Sequence, residues 1–260
     1  MSPGLVLVGT GFLFGLLFGS FLNVVIHRVP LGANIVPRSA CPSCKAPIPW
    51  YRNLPLFSWL ALRGKCRDCG IAISVRYPLV ELAGGLILGF ALWRWGPGWS
   101  AASSTLFGYT MLVLSLIDID HRILPNIITL PGTLLGLALS FADPRRVPLE
   151  SILGALLGGG VLYAVAYLYL KMRGREGMGM GDIKMMLLIG AFLGWKGALT
   201  TIFIGSLAGS LIGVLVIKLS RRGWEYALPF GTFLAMGAVI VDAYGPEILR
   251  WYVATFAPVV

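Results

Sequence analysis

The stretch at residues 4–26, GLVLVGTGFLFGLLFGSFLNVVI, contains no charged residue. About 20 consecutive apolar residues are enough for a helix to cross the hydrocarbon core of a bilayer. No basic segment precedes this stretch, and no small-residue cleavage site follows it before the next loop. We therefore expect a retained first transmembrane helix and not a signal peptide.

Composition extends this interpretation to the whole chain. Hydrophobic residues make up 57% of the 260 residues and charged residues 12%, about half of the charged share of a soluble domain. Mean hydropathy is +0.82. We predict an all-α polytopic membrane protein with about eight transmembrane helices. The apolar blocks lie at about residues 4–26, 79–95, 101–118, 126–142, 151–170, 183–195, 197–217 and 229–245.

The excess of positive charge predicts an orientation. The chain has 21 Lys and Arg against 11 Asp and Glu, a net charge of +10. With the N-terminus outside, 16 of the 21 positive residues fall in four cytoplasmic segments, 27–78, 119–125, 171–184 and 218–228. This is the positive-inside bias of membrane proteins, and it explains the charge without a nucleic-acid partner. The five exceptions are Arg94, Arg145, Arg146, Lys196 and Arg250.

Segment 27–78 is the one connection large enough to have structure of its own, and it contains all four cysteines. They form two pairs, Cys41-x-x-Cys44 and Cys66-x-x-Cys69, with 21 residues between the pairs. Two such pairs can complete a tetrahedron of thiolates around one metal ion. Two disulfides are the alternative, but disulfides rarely persist in the reducing cytoplasm. We predict a structural zinc ion, which leaves no open position for catalysis.

Two aspartates lie near membrane depth in unusual local sequence. Asp118 closes an apolar block, and Asp182 follows the glycine-rich run at 177–181. Two neighbouring carboxylates that share a proton can supply both the base and the acid of peptide hydrolysis. As alternatives, Asp118 could reach the interface or pair with Arg122, and Asp182 could cap the following helix. The chain has no His-Glu-x-x-His motif, no Gly-x-Ser-x-Gly motif and no P-loop.

At these residues the chain resembles the type 4 prepilin peptidases, also called prepilin leader peptidase/N-methyltransferases, which belong to the Gly-x-Gly-Asp membrane aspartyl proteases. The resemblance covers nearly the whole chain. It rests on Gly19-Ser20-Phe21-Leu22-Asn23-Val24 with Arg28 and Pro30, the paired cysteines, Tyr77-Pro78-Leu79-Val80-Glu81, the 118–126 segment and Gly179-Met180-Gly181-Asp182.

The resemblance implies the catalytic pair. Its second member is the Asp of Gly-x-Gly-Asp, Asp182, and its first is the Asp eight residues before the end of the Leu-Pro-Asp/Asn signature. In this chain that position is Asp118 and not Asp120. Asn126 stands where many members of the family have Asp, and its role is open. The implied substrates are prepilins or pseudopilins of type IV pilus or type II secretion systems in the bacterial inner membrane.

The resemblance also implies N-methylation of the newly exposed amino terminus, with S-adenosylmethionine as the donor. It associates Gly64 and Lys65 with this second activity. The expected organisation is a first transmembrane helix at 1–26, a cytoplasmic zinc-binding, methyltransferase-associated domain at 27–78, and a transmembrane aspartyl protease domain at 79–260.

Two other classes of protein fit parts of this pattern. A non-enzymatic zinc-ribbon scaffold or assembly factor would account for the cysteines and the topology, but not for two aspartates in these motifs. A transporter could use the same aspartates as an ion relay. Substitution of either Asp would then abolish transport and not prepilin cleavage.

Overall fold

The computed structural model describes residues 3–36, 39–220 and 229–256. Arg38, Arg221 and Arg222, which the charge argument uses, lie outside these residues. Within them the chain is helical, with two isolated bridges and no strand, which confirms the predicted all-α fold. The helices are α1 (Pro3–Arg28), α2 (Phe57–Ala61), α3 (Arg76–Trp95), α4 (Trp99–His121), α5 (Asn126–Leu139), α6 (Pro148–Arg173), α7 (Met180–Ser220) and α8 (Phe230–Phe256).

Five helices are long and apolar enough to cross a membrane, namely α1, α4, α6, α7 and α8. Helix α7 has 41 residues but is interrupted at Gly194, whose φ of 70° and ψ of 178° are not helical. The two halves, 180–193 and 195–220, correspond to the separate predicted blocks at 183–195 and 197–217. The number of spans stays a prediction.

The two halves of α7 run in opposite directions. The first turns of α7 and α8 lie at the same end of the bundle, because Leu124 lies within contact distance of both Gly181 and Gly231. Further along α8, Phe233 lies against Gly209, and Val241 lies against Gly197. The second half of α7 is thus antiparallel to α8, and α7 as a whole is a helical hairpin.

The chain divides into two compact units, residues 1–105 and 106–260. In the first, α1 and α3 cross with their backbones in contact. A Cβ atom on Gly15 would lie 2.5 Å from the Gly84 carbonyl oxygen, and one on Gly19 would lie 2.6 Å from the Glu81 Cα atom. Small residues four apart allow this close approach in membrane helices.

The second unit has the larger apolar core. Phe107, Met111 and Leu114 of α4 pack with residues of α7, among them Phe192. Helices α6 and α7 are in backbone contact at Gly154 and Gly190, because a Cβ on either would overlap the other's backbone. These contacts position the first turn of α7, which carries Asp182.

An ion-pair cluster lies at the end of this unit where α5 ends and α6 begins. Asp143, whose side chain is fully buried, accepts from Arg145 at 2.7 Å and from Arg146 at 2.8 Å. Arg146 also lies 3.2 Å from Asp242 of α8. Two arginines that depart from the positive-inside pattern are thus paired with acids.

Candidate active site

Asp118 lies in the last turn of α4 and is buried, with 6% of its surface exposed. Its Oδ2 atom accepts a hydrogen bond from the Thr232 backbone N–H at 3.0 Å, and the Thr232 hydroxyl lies 3.4 Å away. The same hydroxyl is 3.2 Å from the Ser115 carbonyl oxygen, so one proton serves two acceptors. The Asp118 carboxylate is thus turned into the protein, toward the first turn of α8.

The first turn of α8 provides these contacts to Asp118. Helix α8 begins at Phe230, so the Thr232 N–H is one of the amides that have no partner inside the helix. The positive end of the helix dipole therefore faces the carboxylate. A Cβ on Gly231 would lie 2.9 Å from Asp118 Oδ2, so this approach needs glycine. Gly231 and Thr232 could not be assigned to the site from the sequence. Their only sequence signal is a Gly-Thr pair at the start of an apolar block.

Asp182 is the third residue of α7. Its N–H donates to the Gly179 carbonyl oxygen at 3.2 Å, and the Gly179 amide faces its carboxyl group. A side chain at the third helical position that reaches back to the preceding amide is a capping arrangement. Asp182 is thus not the N-cap residue itself, because it lies inside α7 and its side chain turns back toward Gly179. The carboxylate is half-buried and stays available to a neighbouring group.

The structure brings Asp118 and Asp182 together. Leu124 lies within contact distance of the glycines beside each of them, Gly231 and Gly181, and the Asp118 charge acts on the Asp182 carboxyl. Asp120, two residues from Asp118, is exposed. A close pair of carboxylates can share one proton, so that one acts as a base and the other as an acid.

Asn126 has a defined contact close to this pair. Its Oδ1 atom accepts a hydrogen bond from the Lys184 ammonium at 2.9 Å. Lys184 lies two residues after Asp182, so Asn126 holds a positive charge beside the site. An aspartate at position 126 would turn this hydrogen bond into an ion pair.

The four cysteines form a second candidate site. Their sulfur atoms all lie within 4.8 Å of one another, and the Cys41 and Cys69 sulfurs are 3.8 Å apart. Zinc–sulfur bonds of about 2.3 Å in a tetrahedron put the sulfurs about 3.8 Å apart. None of the four is in a disulfide, so the residues present fit one metal ion.

Two copies of one turn provide these four ligands. Cys41 N–H donates to the Ala46 carbonyl at 3.0 Å, and Cys66 N–H donates to the Ile71 carbonyl at 2.8 Å. The residue after each second cysteine has a positive φ, 60° at Lys45 and 72° at Gly70. The second turn thus has glycine where the first has lysine in a left-handed conformation.

The thiols of the first turn have different proton affinities. The Cys44 and Ser43 amides lower the pKa of the Cys41 thiol to about 6. The Ala46 amide lowers the pKa of Cys44, but burial and the neighbouring sulfurs, Cys41 first, together raise it to about 11. A bound cation would offset the repulsion among the sulfurs and deprotonate every thiol that coordinates it.

Gly64 and Lys65 begin the second of these turns. Gly64 is buried with a φ of 67°, and its carbonyl accepts the Ile73 N–H at 2.7 Å. A Cβ at this position would lie 2.9 Å from the Trp59 ring. Lys65 is exposed. The glycine therefore has a structural role against Trp59, and the lysine faces outward.

Comparisons with known proteins cover most of the chain. Residues 13–95 match the model of the bacterial peptidase A24 N-terminal domain, and residues 105–214 match that of the type IV leader peptidase family. The relatives include three proteins named prepilin leader peptidase/N-methyltransferase. The one from Stutzerimonas stutzeri is 36% identical over 96% of this chain and 95% of its own length. The one from Pseudomonas aeruginosa is 38% identical over 92% and 91%, and the one from Aeromonas salmonicida 37% over 94% and 93%. No solved structure matches the chain significantly.

Proposed function

The chain belongs to the type IV leader peptidase family, and we propose that Asp118 and Asp182 are the carboxylates with which it cleaves its substrates. Its function is removal of the leader peptide of prepilins and N-methylation of the new amino terminus. The observation that carries the proposal is the convergence of the ends of α4 and α7 on one carboxylate pair.

The pair would hydrolyse a peptide bond by dividing two roles. One ionised carboxylate takes a proton from water as the water attacks the scissile carbonyl carbon, while the protonated partner donates to the carbonyl oxygen. The Thr232 N–H at 3.0 Å holds the orientation of Asp118. Substrates would present a basic leader in the cytoplasm, a cut at the inner interface and an apolar helix in the bilayer.

We also propose that the metal is zinc and that the methyl donor is S-adenosylmethionine. The zinc would be held by Cys41, Cys44, Cys66 and Cys69, which lie within 4.8 Å of one another at their sulfurs. With four sulfur ligands it would have no open position, so it would stabilise the fold and leave the chemistry to other groups. The division of function into 1–26, 27–78 and 79–260 is part of this proposal.

The protein is a multi-pass inner-membrane protein, and we propose that its N-terminus is outside. Positive residues that depart from this orientation have acidic neighbours. Arg145 and Arg146 lie near Asp143 and Asp242, Lys196 lies 3.7 Å from Glu150, and Arg250 lies 3.9 Å from Glu247. Pairing reduces the net positive charge that this topology places outside.

Co-expression with one prepilin, read by mass spectrometry, tests the catalytic pair. Asp118→Asn and Asp182→Asn should each reduce leader cleavage by about 100-fold or more, because each removes a group needed for proton transfer. Asp120→Asn, an exposed residue on the same helix, is the matched control and should cleave normally. Normal processing by either single variant, at equal membrane level, would contradict the assignment. A scaffold or a transporter would show no cleavage even with the unaltered chain.

A further inference from the structure

The first unit contains a cavity of about 380 Å³ that neither the aspartates nor the metal site explains. Its walls come from the last turns of α1, the first turns of α3 and the cysteine-containing segment, with Asn23 and Glu81 on the helices and Cys41 and Cys66 at its border. Sites for small molecules measure about 300–1,000 Å³. The cavity is therefore large enough for a cosubstrate.

Glu81 places a buried carboxyl group on the cavity wall. It is 8% exposed, and its Oε2 atom accepts the Leu56 N–H at 2.8 Å. The Ser20 side chain is a second hydrogen-bond partner of the same carboxyl group. A buried charge is costly without compensation, and these two contacts fix the carboxylate beside the cavity. A cationic ligand would supply the remaining compensation.

Arg52 places an unsatisfied donor on the same cavity. Its Nε atom is buried and has no hydrogen-bond partner among the described residues, while its Nη1 atom is 3.9 Å from Asp68. Arg28, also in the wall, differs because its Nη1 atom donates to the Asn34 and Ile35 carbonyls. An orphaned buried donor in a native fold calls for a partner, and for a guanidinium that partner is an anion.

Trp59 provides an aromatic wall with a fixed orientation. Its indole N–H donates to the Ile73 carbonyl oxygen at 3.1 Å. Gly64 lies so close to the ring that any side chain there would strike it. An aromatic ring is a stacking surface for a nucleobase, and Gly64 leaves room for that ring.

We propose that this cavity binds S-adenosylmethionine, with Glu81 facing its cationic groups, Arg52 its carboxylate and Trp59 its adenine. The inference rests on the N-methyltransferase function of the chain. When bound, this donor gives its methyl group to an amine whose electron pair forms the new bond, while the carbon–sulfur bond breaks, sulfur keeps its pair and the nitrogen loses a proton to water. The residues of the chain supply binding and charge compensation.

Equilibrium binding to the purified full chain tests this assignment. S-adenosylhomocysteine is the matched probe, because it lacks the methyl group and the sulfonium charge. Glu81→Gln should weaken binding of S-adenosylmethionine about tenfold, the effect of losing one charge-assisted interaction, and should weaken binding of S-adenosylhomocysteine less. Arg52→Gln should weaken both ligands equally.

Two exposed residues outside the cavity serve as controls, Arg63→Gln and Glu176→Gln. Both should bind the two ligands as the unaltered chain does. All four variants should retain prepilin cleavage and metal content, which separates a binding defect from misfolding. If Glu81→Gln and Arg52→Gln bind normally while the unaltered chain binds and methylates, the cavity assignment is overturned and the methyltransferase function stands. If the unaltered chain cleaves but neither binds nor methylates, the premise itself fails.

A measurement on the unaltered chain avoids substitutions altogether. On addition of S-adenosylmethionine, amide hydrogen exchange should slow in segments 52–62 and 71–81, which line the cavity. Protection confined to other segments would overturn the assignment.

Discussion

The cysteine lobe, residues 39–74, and the aspartate site, formed by Asp118, Asp182 and Thr232, are assembled in different ways. In the lobe, two copies of one short turn present their ligands, and hydrogen bonds within each turn hold the geometry. In the aspartate site, three helix ends converge from positions up to 114 residues apart. Local hydrogen bonding shapes the first region, and helix packing shapes the second.

Because different interactions hold the two regions together, we expect them to fail separately. The lobe has short helices and isolated bridges, so the proposed metal ion would be its main source of stability. The aspartate site depends on glycine contacts and a packed apolar core. Each change below damages one region and uses the other as an internal reference.

The largest effect should come from losing a metal ligand. Cys41→Ser or Cys66→Ser should abolish metal binding and unfold the lobe, because a structural zinc ion contributes about 10–16 kcal/mol to folding in small domains. Metal content per chain and limited proteolysis of the lobe measure this, with exposed Ser43→Ala as the control. Cleavage by the aspartate site should continue. If the lobe still resisted protease after losing its metal, its stability would not depend on the metal. The proposed difference between the lobe and the aspartate site would then be wrong.

The reverse experiment breaks helix packing. Gly190→Leu should separate α6 from α7, because any Cβ there overlaps the Gly154 backbone, and overpacking of this kind costs about 1–3 kcal/mol or more. Cleavage should fall while metal content stays normal. Gly160→Leu on α6 is the matched control, since its Cβ would meet nothing within 4 Å. Equal loss of cleavage in both variants would show general instability and not a specific contact.

A smaller effect should follow from removing one hydroxyl at the aspartate site. Thr232→Val keeps the N–H bond to Asp118 but loses the hydroxyl 3.4 Å from Oδ2. Loss of one hydrogen bond to a charged group predicts about a tenfold fall in cleavage rate. Thr232→Ser should restore the rate, and Thr200→Val, whose hydroxyl donates to its own helix, should have no effect. If Thr232→Ser did not restore the cleavage rate, Thr232 would act through the shape of its side chain and not through its hydroxyl group.

The smallest effect concerns the left-handed positions that follow the cysteine pairs. Gly70→Ala should destabilise the lobe by about 1 kcal/mol, because a side chain is strained at a φ of 72°. Lys45→Gly, at the equivalent position with a φ of 60°, should cost little or even stabilise. Competition with a chelator should show about a fivefold change for Gly70→Ala alone. Equal changes in chelator competition for Gly70→Ala and Lys45→Gly would mean that the two turns are not equivalent at this position.

The sequence predicted those parts of the molecule that follow from local patterns. The Cys-x-x-Cys pairs, the apolar blocks and both aspartates could be located because each depends on spacing along the chain. The contacts of Thr232 with Asp118 and of Asn126 with Lys184 could not be predicted, because they join residues 114 and 58 positions apart. Such contacts depend on which helix ends meet, and that is decided by packing.

The cavity beside Glu81 illustrates the same limit. Glu81 and Gly64 belong to motifs that the sequence presents in isolation. The crossing of α1 and α3 at Gly15 and Gly19 brings Glu81 into the cavity wall, and Gly64 packs against Trp59, which lines the same cavity. Sequence motifs identify individual residues, whereas the shape of the cavity that these residues surround depends on how the helices pack.

The short helices beside the aspartate site have a consequence for the lipid. Helix α5 and the first half of α7, residues 180–193, have 14 residues each and are about 21 Å long, whereas a bilayer's hydrocarbon core measures about 30 Å. In the proposed topology, the buried ion pairs of Asp143 with Arg145 and Arg146 would lie at one interface. The hydrophobic mismatch would then fall at the other end of these helices, beside Asp118 and Asp182. Thinning of the membrane or entry of solvent there would bring water, the second reactant of hydrolysis, to the carboxylates.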